Sequence, residues 1–329
     1  FQPISREGTL VFNNLLLVTS TATVLIGTLY PLVLEGLTGE KISVGPPFFN
    51  MTFGPIMVPL LLALPFGPLL AWKRGDLLGV SQRLVFAIVG ALLLAAVAYA
   101  MFNRGPSLAP FGIALGAFVM LGAVTEWATR IKLGAAPLDE VVRRATNLPR
   151  SNYGTLLAHF GVGLMVVGIV GTTAYQEEHI LVMKPGESLA IAGYDATFTG
   201  VKPQSGPNYR EDIASFDISR GGSVVTTLAP SKRLYDAPPQ PTTESGILAS
   251  WLGDLYIVIG DQQAGTDGYA VRAYFNPLVR FIWIGALIMF IGGGISLSDR
   301  RLRVGAPVKS RRATVVAAVL LRRASAQSP

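Results

Sequence analysis

Asn152–Thr173 reads NYGTLLAHFGVGLMVVGIVGTT, a helix-length apolar run with one ionisable side chain, His159, inside it. Crossing the hydrocarbon layer takes about 20 residues of helix at about 1.5 Å each, so this run is long enough to span. Residues three and four apart share a helix face. Gly154, Ala158, Gly161, Met165, Gly168 and Thr172 therefore form a stripe of mostly small residues, which lets a neighbouring helix approach closely. His159 lies one residue off that stripe, with Val162, Gly163 and Val166 on its own face. Gly163, one turn on, is expected to leave room for something flat and bulky. An imidazole at this depth is expected to be neutral, and ionisable groups in lipid mark sites by default.

The same length criterion finds runs at 11–35, 54–72, 84–102, 109–129 and 277–297, making about six spans with 152–174. Hydrophobic residues make up 50% of the 329, and charged ones 14%, which fits a polytopic membrane protein. Most of the 27 Lys and Arg fall on one side of these spans. Arg6, Lys73, Arg74, Arg83, Arg130, Lys132, Arg143, Arg144 and Arg150 share it with the tail, whereas the short opposite loops carry only Lys41 and Arg104. That bias puts the N-terminus in the cytoplasm and explains the net charge of +7 without a nucleic acid. The chain has no Cys, so it holds no disulfide and no thiol nucleophile or ligand. It opens at Phe1 without Met, and Gln2–Gly8 is not a signal peptide, so it reads as part of something longer.

Between the last two spans lies a polar stretch of strand-like pattern. Phe216, Ile218, Val224 and Leu228 sit in short runs broken by Gly221–Gly222, a hairpin signal. DLYIVIGD at Asp254–Asp261 and YAVRAYF at Tyr269–Phe275 suit strands. The expected fold is an α-helical polytopic membrane protein with a small extracytoplasmic antiparallel β domain inserted before the last span. Its parts are membrane helices over 1–175, a β-rich domain over 176–275, a last helix over 276–298 and a basic tail over 299–329. In the tail, Ala313–Leu321 is too short to span.

Several residues compete as sites. The 54–72 run carries Pro55, Pro59, Pro65 and Pro68, so that helix should kink or break, either to line a transport site or as a feature of packing. Glu35, Glu126 and Arg280 sit near span ends, where they can snorkel; Trp72, Trp127, Tyr175 and Trp283 suit an aromatic belt. His179 follows Glu177 and Glu178, which reads either as a metal cluster or as a solvated rim. There is no Walker loop, nucleophile elbow, H-E-x-x-H or dinucleotide fingerprint. For His159 two readings stay open. It hydrogen-bonds and packs, with Thr155 one turn away, or it ligates a metal. Imidazole is a common haem ligand, and its second ring nitrogen then needs a fixed acceptor, for which Thr155 is the nearest candidate.

A series of motifs resembles the C-terminal half of the CcmF family, the haem lyase subunits of bacterial cytochrome c maturation. They are SREGTLVFNN at Ser5–Asn14, GPPFFN at Gly45–Asn50, MVP at Met57–Pro59 and AHFG at Ala158–Gly161. Further on come GPNY at Gly206–Tyr209, KRLY at Lys232–Tyr235, DLY at Asp254–Tyr256 and NPLVRFIWIG at Asn276–Gly285. The resemblance runs from about residue 4 to 303. It implies an inner-membrane protein with its β domain in the periplasm. It also implies a haem b held between two transmembrane histidines, of which His159 matches the second. The family's tryptophan-rich WWD segment and its other three histidines are absent here and lie upstream in the family. The implied partners are the haem chaperone CcmE, CcmH/CcmI-type apocytochrome-binding subunits and apocytochrome c, whose thiols take the haem vinyl groups. On this resemblance the site residues are His159 as haem-iron ligand, with Thr155 and Gly163 beside it; catalytic residues are not identified. The rival readings are a transporter half and a non-catalytic assembly scaffold.

Overall fold

The computed structural model describes residues 2–102 and 107–299, so the basic tail and Arg104 lie outside the described residues. Eight helices are described: α1 (Arg6–Thr38), α2 (Pro46–Ala63), α3 (Leu77–Arg83), α4 (Val85–Phe102), α5 (Ala109–Ile131), α6 (Leu138–Asn147), α7 (Arg150–Ala174) and α8 (Val279–Leu297). Five segments are long and apolar enough to cross a membrane, and a sixth arises if α3 and α4, bent by 58°, count as one.

Local chemistry sets the helix ends. Ser5 caps α1, its hydroxyl accepting from the Gly8 N–H at 3.0 Å. Asp76 caps α3 in the same way through Gly79. Pro55 and Pro59 ride inside α2, which starts at Pro46, eight residues before the apolar run suggested. The break comes only at Leu64–Phe66, after which a 3₁₀ turn, Gly67–Leu69, leads out. Pro65 supplies the reason, because it has no N–H to donate to the turn before it. The expected kink is therefore a termination at the end of the span. α6 lies in the basic stretch between two spans, for which no element was named from the sequence; its first turn carries Asp139 and Glu140, and Arg144 bonds back to Glu140 at 2.7 Å.

The β domain has ten strands: β1 (Glu177–Met183), β2 (Ser188–Ile191), β3 (Tyr194–Ser205), β4 (Tyr209–Arg220), β5 (Ser223–Leu228), β6 (Ser231–Asp236), β7 (Pro239–Glu244), β8 (Gly246–Ala249), β9 (Gly253–Gln262) and β10 (Tyr269–Pro277). They form two sheets, one ordered β1-β10-β9-β8 and one ordered β2-β3-β4-β6-β7, with β5 paired to the second half of β4. Every recorded strand pairing is antiparallel. The pleat turns alternate residues inward. Ala196, Phe198, Ala214, Phe216 and Ile218 of one sheet meet Leu255, Ile257, Ile259, Val271 and Ala273 of the other in a closed apolar core. Phe198 and Phe216 stack across β3 and β4 at 5.0 Å, and Tyr269 meets Phe198 edge-on at 5.9 Å.

The sandwich hangs from two helices. β1 follows α7 and β10 runs into α8, and the two strands pair along their whole register. Thr172 Oγ1 donates to the Pro277 carbonyl at 3.0 Å, and Gln176 Nε2 to Asn276 Oδ1 at 2.7 Å. Leu278 turns the chain from strand to helix in the left-handed region (φ +57°), its N–H held by the Leu252 carbonyl. Arg280 pairs with Asp254 at 3.5 Å and lies over Trp251.

Candidate functional site

The expected small-residue stripe on α7 is the contact with α8. A methyl group added at Gly154 would lie 2.6 Å from the Gly292 carbonyl oxygen, and one at Gly161 2.6 Å from that of Gly285. Gly168 meets the Ile282 backbone in the same way. A second glycine face packs α7 on α5: a methyl at Gly163 would sit 2.5 Å from the Gly116 carbonyl, and one at Gly116 2.7 Å from that of Gly163. α7 is thus clamped between two helices at backbone-contact distance. This corrects the reading of Gly163, whose space is filled by Gly116 and Met120 of α5 and is closed to any ligand.

His159 lies off both faces. Its half-buried side chain lines a cleft of about 200 Å³. The other walls are Arg6, Thr9, Leu10, Phe12 and Asn13 of α1, Leu60 and Ala63 of α2 with Leu64 just past its end, and Gly67 and Pro68 of the 3₁₀ turn. Among the described residues the imidazole makes no hydrogen bond. Thr155, the expected acceptor, instead donates its hydroxyl to the Ser151 carbonyl at 2.9 Å. It sits one turn below His159 and does not hold the ring. Of the three residues expected at the site, the structure keeps His159 on the cleft and places Thr155 and Gly163 in other contacts.

The cleft brings in residues that spacing along α7 could not reveal. Arg6, Thr9 and Asn13 lie three and four residues apart and form a polar stripe on the face of α1 that meets the cleft. Arg6 is fixed from two sides. Its N–H bonds the Ala71 carbonyl at 3.0 Å, and its guanidinium lies 5.1 Å over the Trp72 ring. Gln2 N–H to Lys73 and Gly75 N–H to Ile4 close the same junction.

Other expectations resolve differently. Glu126 does not snorkel; it is buried on α5 and accepts from Arg130 Nε at 2.9 Å and Nη2 at 2.7 Å. His179 is exposed on β1 opposite Ala273, and among the described residues no cluster of three or more His, Asp or Glu could hold a metal.

In the β domain two of the sequence motifs meet. Arg233 donates to buried Glu211 at 2.8 Å and to Glu244 at 3.1 Å, and its guanidinium lies over Tyr209. Tyr209 packs edge-on against Tyr235, and Ser231 donates to Glu211 at 2.8 Å. The Arg233 and Ser231 hydrogen bonds hold the Glu211 carboxyl below the ordinary glutamate range, and Glu211 in turn raises the Arg233 pKa. GPNY and KRLY therefore serve as ties within the second sheet, as DLY and NPLVR tie the sandwich to α8 through Asp254 and Arg280.

Residues 174–277 match the model of the CcmF C-terminal β-sandwich. Over 313 residues, 95% of the chain, it is 54% identical to the cytochrome c-type biogenesis protein CycK of Rhizobium meliloti (strain 1021), covering 46% of that protein. It is 36% identical over 300 residues to the cytochrome c-type biogenesis protein CcmF of Escherichia coli (strain K12), covering 91% of this chain and 44% of the relative. A solved structure titled cytochrome c heme lyase CcmF shares the fold, with a TM-score of 0.68 at 24% identity over 90% of this chain and 46% of that one. The chain spans about half the length of the curated relatives it matches.

Proposed function

From a membrane chain that is CcmF-like along nearly its whole length, we propose that it forms part of a cytochrome c haem lyase subunit. In this reading His159 supplies one axial ligand to an intramembrane haem b. The observation that carries it is an imidazole within a membrane span, without a hydrogen bond among the described residues, facing a cleft walled mainly by apolar side chains. Ionisable groups at membrane depth lean functional, and imidazole is a standard axial ligand.

The residues present fit one side of such a group. Leu10, Phe12, Leu60 and Ala63 offer apolar surface to a flat macrocycle, and His159 offers a nitrogen. Bound haem would supply one-electron chemistry. This chain's part is to fix the ring: the two glycine contacts leave α7 little freedom to rotate, so the imidazole keeps one direction. A second histidine for such a group would have to come from outside this chain, since the remaining one here, His179, sits on a strand of the β domain.

The charge bias supports an α1 with its N-terminus in the cytoplasm, and five crossings before the sandwich, counting α3 and α4 as one, would set the sandwich on the far side, which for a CcmF-like protein is the periplasmic side of the inner membrane. There it would face apocytochrome c, the haem chaperone CcmE and the CcmH/CcmI-type subunits. The attached haem is bonded to thiols of the apocytochrome, in keeping with a chain that has no Cys. The transporter reading loses its main support, because Pro55 and Pro59 are carried within one helix and α2 ends only at the span's far end. The test is His159→Ala in the full-length protein. The b-type absorption should be lost while the protein still inserts and purifies; a variant that keeps its full haem content defeats the assignment.

A further inference from the structure

We propose that Arg6 is the counter-ion for a carboxylate of the group that His159 ligates, so that a haem propionate lies at the N-terminal end of α1. The inference rests on the His159 reading and extends it to the opposite wall of the cleft. Arg6 and His159 line the same cleft from helices about 150 residues apart in sequence. Among the described residues Arg6 has no carboxylate partner; its one recorded side-chain contact is the Trp72 ring. Two other arginines near span ends are neutralised, Arg130 by Glu126 and Arg280 by Asp254, whereas Arg150 at the start of α7 has no recorded carboxylate partner among the described residues but does not line the cleft. A cation held in place but left without its anion is the arrangement expected of a binding residue.

The surroundings reinforce the sign. Arg6 is the first residue of α1, the end of the helix whose dipole favours an anion, although its own N–H is taken by Ala71 and that of Gly8 by Ser5, and Glu7 shares the turn. Thr9 and Asn13 continue a polar line along α1 toward the apolar part of the cleft. Haem is an apolar ring with an iron at its centre and two carboxylates on one edge. A cleft with an imidazole nine residues into α7 and a cation at the first residue of α1 matches that distribution from inside to rim. The same cation could instead meet a lipid phosphate, and the experiment separates the two.

Full-length haem-loaded protein is compared as wild type, Arg6→Gln, Arg6→Lys and His159→Ala, in detergent without added lipid and in phosphatidylglycerol vesicles. Arg6→Gln should keep the b-type spectrum but release haem faster to an apoprotein scavenger. Its midpoint potential should fall, because loss of the cation leaves the propionate free to favour ferric iron. A tenfold change in the ferric-to-ferrous affinity ratio reads as about 59 mV. Arg6→Lys should restore most of both. Wild-type protein reconstituted with protohaem dimethyl ester should release it faster than native haem, and Arg6→Gln should add no further loss on that ester, which checks the pairing independently of any folding defect. Unchanged potential and release in Arg6→Gln overturn the proposal, as does a change confined to the anionic vesicles, which would assign Arg6 to a headgroup. Loss of the spectrum in His159→Ala with a wild-type Arg6→Gln leaves the ligand standing and removes only the counter-ion.

Discussion

One methyl group, placed at Gly292 or at its neighbour Gly293, should have opposite effects on the membrane part of this protein. At Gly292 the added carbon would lie 2.8 Å from the Ala158 nitrogen, 2.8 Å from the Gly154 oxygen and 3.0 Å from Leu157 Cβ. Comfortable carbon contacts lie at about 3.5–4.0 Å, so α8 must retreat from α7 by roughly 0.7 Å or more. Two of the three atoms met are backbone and cannot rotate aside. The retreat also loosens Gly285 against Gly161, one contact along the same pair of helices. Overpacking of this kind costs about 1–3 kcal/mol, against which alanine returns up to about 1 kcal/mol of helix propensity. At Gly293 the added carbon meets nothing within 4 Å, so only the propensity gain of roughly 0.5–1 kcal/mol remains. The two variants should therefore differ by about 2 kcal/mol, some thirtyfold in the unfolding equilibrium. Graded unfolding in mixed micelles with rising SDS, followed by circular dichroism, reads the difference directly. Equal stability of the two, or a more stable Gly292→Ala protein, refutes the close-contact account of the α7–α8 pair.

The β domain yields three further expectations. Phe216→Ala empties the stacked centre of the sandwich and should destabilise it by about 3–5 kcal/mol, measured by urea unfolding of the domain in the intact protein. Gly222 closes the β4–β5 hairpin with φ +81°, so Gly222→Ala should cost about 1–2 kcal/mol in the same assay and Gly222→Asn less. Glu211 has a lowered pKa in the folded state, so its contribution is complete above the ordinary glutamate range and is lost as pH falls through the lowered value. Stability measured against pH should thus fall on the acid side with a slope that Glu211→Gln flattens; an unchanged slope removes the Arg233–Glu211 pair from the account.

Hydropathy located the spans because lipid asks only for length and apolarity, and α5, α7 and α8 fall within a few residues of their runs. The start of α2 was missed because Pro46, Pro47 and Asn50 dilute the apolar signal, although proline at the first helical positions is favourable. α6 was missed as well, yet Leu138, Val141, Val142 and Ala145 mark one face of a helix at the right spacing. The strands around Phe216, Asp254 and Tyr269 were legible from alternation. β1 was not, because Glu177–Met183 is an edge strand with its first residues exposed, and so reads as a polar rim. At the site, His159 stood out through its chemistry alone. Its neighbours did not, because which face of α7 meets α5, α8 or the cleft is decided by helices far away in sequence. Gly163 shows the limit: a glycine one turn from a histidine looks like room for a ligand until the facing Gly116 shows that it is room for a helix.

The two glycine faces of α7 bear on function through the third face they leave. A single span packed on one neighbour can roll about its axis, since side chains at the contact adapt. α7 is held by backbone-to-backbone approach on two sides, at Gly154, Gly161 and Gly168 toward α8 and at Gly163 toward α5. Rolling in either direction drives a carbonyl into a Cα. His159 is therefore presented to the cleft by the packing of glycines rather than by any hydrogen bond to its own ring. The sandwich shares this frame, because β1 and β10 continue from α7 and into α8 and pair at once. A force on the sandwich reaches α7 through Thr172–Pro277 and Gln176–Asn276, and α8 through Arg280–Asp254. The element that carries the imidazole is thus one of the two helices to which the outer domain is joined, and a disturbance of that joint should be felt at His159 before it is felt at α1 or α2.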